Sequence, residues 1–349
     1  MAGVTIYDVA ARAGVSIKSV SRVLNGEANV SPQLREKVEA AVRRLGYRRS
    51  LSARSLAGSS SSILTVLADA DLTIEHWRSG RGNDYLSRLE LGLLMECRQV
   101  DYYLMVELVD HKAPTLQRDL TALLAAIRPE GLVLTPPTSD HPAVLQVLED
   151  AGAAYARIGS EIELDRGIAI RMDERQAAYD VTKHLLDLGH VRLAHVCGPA
   201  AYAASRLRRE GFEAALRDHG VTPDSRWLIE GDFTFQGGVA AAERLLAATP
   251  RPTAVFAGND DMALGVVQTA MAAGLRVPRD LSVAGFDDTP SASFGTPRLT
   301  TIRQPVAEMA AVAARSLIPA LKEQAPSDAA TMVPYALIIR ESTGRPASA

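Results

Sequence analysis

Two groups of residues in this chain of 349 have types and spacing suited to chemistry. The first lies near the N-terminus, in Ser16-Ile17-Lys18-Ser19-Val20-Ser21-Arg22-Val23-Leu24-Asn25. The apolar spacing predicts a short helix with Val20, Val23 and Leu24 turned inward. Its other face presents Ile17, Lys18, Ser21 and Arg22. Lysine and arginine donate to guanine N7 and O6, and isoleucine packs on a thymine methyl. Ser16, Ser19 and Ser21, with the free N–H groups of the helix start, suit phosphates. The second group follows apolar, strand-like runs in the later part of the chain: Arg206, Asn259-Asp260-Asp261, Asp287-Asp288 and Gln304. Carboxylates, amides and one guanidinium match the hydroxyls of a sugar, whose flat faces need aromatic partners. Trp77, Tyr85, Tyr202, Phe233 and Phe235 are the candidates. Each group also has a plain reading. The first is equally a solvated basic face. Asp260 and Asp261 serve as helix N-caps, Asp288 as a brace for its turn, and Arg206 as a surface helix residue.

Three short helices must carry the first group. Thr5 with Asp8 resembles a capping box, and Val9, Ala10 and Ala13 form an apolar face that Gly14 ends. Ser16 caps the second helix. Ser31-Pro32 starts a third, with Leu34, Val38, Ala41, Val42 and Leu45 inward and Gly46 as its stop. This is a helix-turn-helix pattern. Residues 48–58 follow, then four serines, 59–62. Ser50 or Ser52 can cap a helix there, but one so short is unstable alone, since about 12–15 residues are marginal. It folds only when docked. An apolar side chain such as Leu56 can wedge into a minor groove, or the segment is simply a flexible linker.

From Ile63 the chain alternates strand-like runs (63–67, 102–106, 131–134, 154–158, 192–196, 254–257, 282–285) with helical segments such as 177–188 and 238–247. Such alternation predicts parallel sheets covered on both faces, in two lobes. Ligands of open α/β sheets sit beyond the carboxyl ends of the strands, where the second group falls. The stretch 68–85 reads as a long loop carrying Asp71, Trp77 and Tyr85, either lining the cleft or exposed.

Residues 1–58 hold ten Lys/Arg and four Asp/Glu, whereas the rest holds 28 and 37. A head of +6 on a body of −9 fits nucleic-acid contact confined to one end. Cys97 and Cys197 lack metal or redox spacing, which fits a reducing compartment. No apolar run reaches the ~18–20 residues of a membrane span, and no stretch reads as a signal peptide. A cytoplasmic protein without metal or cofactor is expected. Hydrolase and nucleotide-binding motifs are missing, so an enzyme is not.

The head resembles the LacI/GalR family of bacterial transcription regulators. The matching residues are Thr5-Ile6-Tyr7-Asp8-Val9-Ala10, Ala13-Gly14-Val15-Ser16, Val20-Ser21-Arg22-Val23-Leu24-Asn25, Val30-Ser31, Arg35, Val38, Leu45-Gly46-Tyr47 and Ala53-Arg54-Ser55-Leu56. The body, over 63–343, resembles periplasmic sugar-binding proteins. The resemblance implies an all-α helix-turn-helix head (1–49) and a hinge helix with linker (50–62). These join an α/β core of two lobes with parallel sheets, 63–160 plus 290–322 and 161–289 plus 323–343, before a tail (344–349). It implies a repressor of a carbohydrate-utilisation operon, a homodimer on a pseudo-palindromic double-stranded operator, released when a sugar or oligosaccharide binds between the lobes. Contacts to DNA are implied at Thr5, Tyr7, Ser16, Ile17, Lys18, Ser19, Ser21, Arg22, Asn25, Ser31, Tyr47, Ala53 and Leu56. Contacts to the effector are expected at Asp71, Trp77, Tyr85, Tyr202, Arg206, Phe233, Asn259, Asp287 and Gln304. A solute-binding protein without a DNA role, and a regulator that needs a corepressor, are the alternatives. Helix 85–100, with Leu86, Leu89, Leu93 and Leu94, is a candidate dimer face or part of the core.

Overall fold

The computed structural model describes residues 4–25, 27, 29–47, 61–80, 82, 84–319, 321 and 330–347. The hinge with Ala53 and Leu56 falls outside them. The chain divides into two units, residues 1–62 and 63–349.

The first unit holds α1 (Ile6–Ala13), α2 (Ile17–Leu24) and α3 (Pro32–Leu45). Each begins on a polar residue. The Thr5 N–H and hydroxyl donate to the Asp8 carboxylate at 2.8 and 2.7 Å. Ser16 accepts from the Ser19 N–H at 3.1 Å and Ser31 from the Leu34 N–H at 3.3 Å. These bonds satisfy donors that a helix start leaves unpaired. Gly14, at φ 65°, turns the chain from α1 towards α2. Val9, Val20, Val23, Val30 and Val38 meet in the centre, with Ile6, Leu34, Leu45 and Tyr47 packed round them.

The second unit has two lobes. The first contains β1 (Ile63–Asp69), α4 (Ala70–Ser79), α5 (Asp84–Gln99), β2 (Tyr103–Val109), α6 (Leu116–Ile127), β3 (Gly131–Leu134), α7 (Pro142–Asp150), β4 (Tyr155–Ile158) and β5 (Ile168–Arg171). The second contains α8 (Glu174–Asp187), β6 (Leu193–Cys197), α9 (Ala203–Asp218), β7 (Leu228–Glu230), α10 (Phe235–Ala247), β8 (Ala254–Ala257), α11 (Asp260–Ala272), β9 (Ser282–Ala284), α12 (Pro290–Phe294) and β10 (Thr301–Arg303). The chain returns to the first lobe for α13 (Val306–Leu317) and β11 (Ala330–Met332), and to the second for β12 (Ala336–Ile338). The first sheet has order β11-β5-β4-β3-β1-β2 and the second β7-β6-β8-β9, all parallel. Fully buried strands such as Gly131–Leu134 and Ala254–Ala257 are apolar throughout because helices cover both faces. Antiparallel β10 and β12 extend the second lobe, where Thr300 and Arg303 bridge Ala284 and Asp287.

Sheet membership moves the expected lobe boundaries. Ile168–Arg171, expected in the second lobe, pairs with β4, and Ile170 enters the first lobe's core. Residues 290–303, expected in the first lobe, bury Ala292, Leu299 and Ile302 in the second. The strand at 330–332 pairs with β5, not with the second lobe. Strand pairing overrides sequence proximity here, and the chain therefore crosses between lobes near Met172, Gln304 and Val333. Residues 68–85, expected to be a loop, are mostly helix. Asp69 caps α4 by accepting the Leu72 N–H at 3.2 Å, and Gly80 closes it at φ 67°.

Candidate functional site

On the head, Ile17 and Lys18 lie side by side on the exposed first turn of α2, with Ile17 41% and Tyr7 68% accessible. These are free to meet a groove. Other predicted contacts have structural work. The Ser16 hydroxyl caps α2 and meets the Ser19 hydroxyl at 2.9 Å. Ser21 is half-buried. Ser31 caps α3, Thr5 is tied to Asp8, and Tyr47 packs on the head core. Exposed Asn25 ends α2, its N–H donating to the Ser21 carbonyl at 2.8 Å. Arg22, expected to donate to bases, donates through Nε to the exposed Glu27 at 3.0 Å and through Nη2 to the Asn29 carbonyl at 2.8 Å. It braces the loop between α2 and α3.

A cleft of the body lies between the lobes. One wall is Ala68, Asp69, Leu72, Thr73, His76, Tyr85, Thr135 and Ile158. The other is Met172, Glu174, Tyr202, Arg208, Phe233, Asn259, Asp261, Asp287 and Gln304. Six of the nine expected effector contacts are therefore brought together: Tyr85, Tyr202, Phe233, Asn259, Asp287 and Gln304. Phe233 and Tyr202 meet edge-to-face, their ring centroids 5.3 Å apart. The Asn259 side chain caps α11 through the Met262 N–H at 3.0 Å and donates to the Phe233 carbonyl at 2.9 Å. That bond holds Phe233 at φ 64°. Gln304 donates to the Asp287 carboxylate. Phe235 borders a neighbouring cavity.

Three expected contacts lie elsewhere, and helical geometry explains each. Leu72, Thr73 and His76 occupy the inward arc of α4, so Asp71 and Trp77 point away. Asp71 pairs with Lys112 at 2.9 Å and Trp77 is 55% accessible. On α9, Ala204 and Arg208 are four residues apart and share the cleft face, whereas Arg206 lies about 200° round from Ala204. Arg206 is exposed, 3.7 Å from Glu210.

Arg208 is the cation that sequence reasoning missed. It is buried, pairs with Glu174 at 2.8 Å, donates to the Gly258 carbonyl at 2.5 Å and lies 3.7 Å over the Phe286 ring. Its signal was the buried spacing Ser205, Arg208, Phe212, Ala215 along α9. Burial works against its charge, and Glu174 more than offsets this. Asp69, Glu174 and His76 were also missed, because each looks like an ordinary helix-end or helix residue in sequence. Asp69 accepts from the Tyr202 hydroxyl at 2.7 Å, joining the two lobes, and lies 3.5 Å from His111. Arg88 of the first lobe likewise donates to the Asp287 carbonyl at 2.7 Å and to that of Asp288.

The adjacent acids of the site separate by environment. Burial pushes the Asp287 carboxyl up to about 7, although Arg208 and Gln304 pull it down. Burial, with Asp287 nearby, also raises Asp260, which accepts from Thr289 and Thr301 and is a structural cap. Burial opposes the Asp288 charge, but Arg340 and Arg303 outweigh it and keep its pKa low. Asp288 is thus the brace and Asp287 the group turned to the cleft. Both have positive φ, 55° and 121°. Burial raises the Tyr85 and Tyr202 hydroxyls and lowers His76, so all three are neutral near pH 7.

Comparison with known proteins places this geometry. Residues 5–50 match the model of bacterial regulatory proteins of the lacI family, and residues 182–343 that of the periplasmic binding protein-like domain. The chain is 32% identical over 343 residues to catabolite control protein A of Priestia megaterium, covering 97% of this chain and 99% of that protein. Among solved structures it resembles the lac repressor dimer bound to operator and the anti-inducer ONPF. The TM-score is 0.77 and the identity 29%, covering 98% of this chain and 100% of that one. It also resembles the transcriptional regulator CelR in complex with cellobiose, with a TM-score of 0.72 and 28% identity over 97% and 99% of the two chains.

Proposed function

The chain belongs to the lacI family of bacterial regulatory proteins, DNA-binding transcription regulators with a small-molecule effector, and from that premise we propose that it represses a carbohydrate-utilisation operon and is released by a sugar. It is a regulator and not an enzyme. One observation carries the sugar reading: Asp287, Asn259, Glu174 and Arg208 converge with Phe233 and Tyr85 on the interlobe cleft. Hydroxyls are satisfied by such paired acceptors and donors, and an aromatic face covers the ring's C–H side. The likeness to CelR with cellobiose supports the same ligand class.

At the DNA end, Lys18 and Ile17 read bases and Tyr7 contacts the backbone, on one half of a pseudo-palindromic operator. Ala53 and Leu56 belong to the hinge in this reading. Two half-sites require a homodimer, for which Leu91, Leu94 and Met95 form an exposed apolar stripe on α5; Leu89 and Leu93 of the same helix are core. A protein that acts on operator DNA works in the cytoplasm. Among the described residues, no helix is long and apolar enough to cross a membrane.

Coupling is thermodynamic: a sugar that favours one lobe arrangement lowers operator affinity, and operator lowers sugar affinity by the same factor. Gel shifts on palindromic sites around the protein's own gene, at two salt concentrations and with a sugar panel, test the reading. Sequence-selective binding that weakens with salt and with one sugar is expected. Tighter binding with sugar makes the protein a corepressor type, and no selective binding sinks the proposal.

A further inference from the structure

The cleft does not end at His76. A second cavity, of about 310 Å³, adjoins the inner one, of about 140 Å³. They share His76, Gly82 and Asp261 as a common wall. The outer cavity lies between the C-terminal half of α4, through Glu75 and Ser79, and the first turn of α10, through Gln236. Like the inner one, it is built from both lobes. The His76 imidazole stands in this shared wall. A Cβ on Gly82 would come within 2.5 Å of the His76 ring, and Gly82 sits at φ 77°, so glycine is what lets the ring stand there. His76 Nε2 is buried and meets no described partner at ordinary hydrogen-bond geometry, although the Phe233 backbone lies close enough to the ring to oppose the lowering of its pKa by burial. A neutral ring nitrogen between two cavities suits a hydroxyl or bridging oxygen that spans them.

Charge narrows the ligand further. Asp69 and Asp84 border the inner chamber, Glu75 the outer, and Asp261 both, whereas Asp287, also in the inner chamber, holds its proton up to about pH 7. The one guanidinium among these lining residues, Arg208, is already paired with Glu174. Such a field repels phosphates and carboxylates, while carboxylates accept from hydroxyls.

We propose that the site takes an uncharged disaccharide. One ring occupies the inner chamber beside Asp287 and Phe233. The second occupies the outer chamber between α4 and α10, with His76 at the junction. The inference rests on the sugar reading above and adds size and charge to it.

Calorimetric titration of the full chain with glucose, galactose, ribose, cellobiose, maltose, lactose and glucose 6-phosphate tests it. One disaccharide is expected to bind about tenfold or more tighter than every monosaccharide, and the sugar phosphate more weakly than glucose. Ser79→Trp fills the outer chamber from an exposed helix end, and the disaccharide advantage then falls to about one. Gln236→Trp repeats this from the opposite wall if the first variant fails to fold, as judged by circular dichroism. A monosaccharide as tight as every disaccharide, tight binding of the phosphate, or a preference that both variants leave intact overturns the inference alone. If none of these sugars binds and none alters operator affinity, the sugar reading falls with it.

Discussion

Arg206 and Arg208 are two residues apart and chemically identical, yet only one of them matters to the cleft. Arg208 is sealed against Glu174 and Phe286, so its removal strands a buried carboxylate. Arg208→Ala is expected to cost about 3–5 kcal/mol in urea unfolding, and Arg206→Ala less than about 0.5 kcal/mol; equal costs refute the assignment. Asp287 makes a pH prediction. The folded chain holds its proton up to about pH 7, whereas an unfolded Asp releases it near pH 4. The group's contribution to stability is therefore full below about pH 4 and is lost as pH rises to about 7. Unfolding midpoints at about pH 5 and about pH 8 should differ more for wild type than for Asp287→Asn; identical pH dependence rules this out. Lys18→Ala should weaken operator binding by about 1–3 kcal/mol and relax base preference. Arg22→Ala, by contrast, should lower the melting temperature of the head, because its donors hold Glu27 and Asn29.

Elements set which face a residue shows. The apolar run before residue 68 and the polar run after it read as strand then loop, because Asp, Thr, His and Ser dilute the helical pattern. The Asp69 cap and the Gly80 stop make it a helix, and its turn length selects His76 over Trp77 for the cleft. Helix α5 divides in the same way, with Leu89 and Leu93 inward and Leu94 outward. Its contact with α13 depends on Gly92, where a Cβ would stand 2.0 Å from the Ala307 carbonyl oxygen. Gly92→Val is expected to destabilise the body by about 1–3 kcal/mol or more, read as a lower melting temperature. An unchanged melt excludes close packing there.

Among the described residues the two lobes are joined by three chain crossings, by hydrogen bonds from Tyr202 to Asp69 and from Arg88 to the Asp287 and Asp288 carbonyls, and by Leu72, which packs on the second lobe's core. A ligand between the lobes adds contacts to both, so it stabilises this arrangement in proportion to its concentration over its dissociation constant. Tyr202→Phe removes a hydrogen bond to a carboxylate while keeping the ring against Phe233. About tenfold weaker effector binding is expected, with a smaller effector-driven change in operator affinity. Binding and coupling indistinguishable from wild type exclude a latch.

The sequence by itself determined the head almost completely. Its helices are short, local and capped by Thr5, Ser16, Ser31 and two glycines, so caps and apolar spacing lie within a few residues of one another. The alternation of strands and helices likewise disclosed two parallel-sheet lobes, and strand ends marked Asn259, Asp287 and Gln304. Only the tertiary structure decided which strands belong to which lobe, because β5, β10 and β11 are placed by partners far away in the chain. It alone brought Asp69 to Tyr202 and Glu174 to Arg208, and replaced Arg206, Asp71 and Trp77 with Arg208, Asp69 and His76. A helix rotates about 100° per residue, so a small error in register moves a side chain from the cleft to the solvent, and only packing fixes that register.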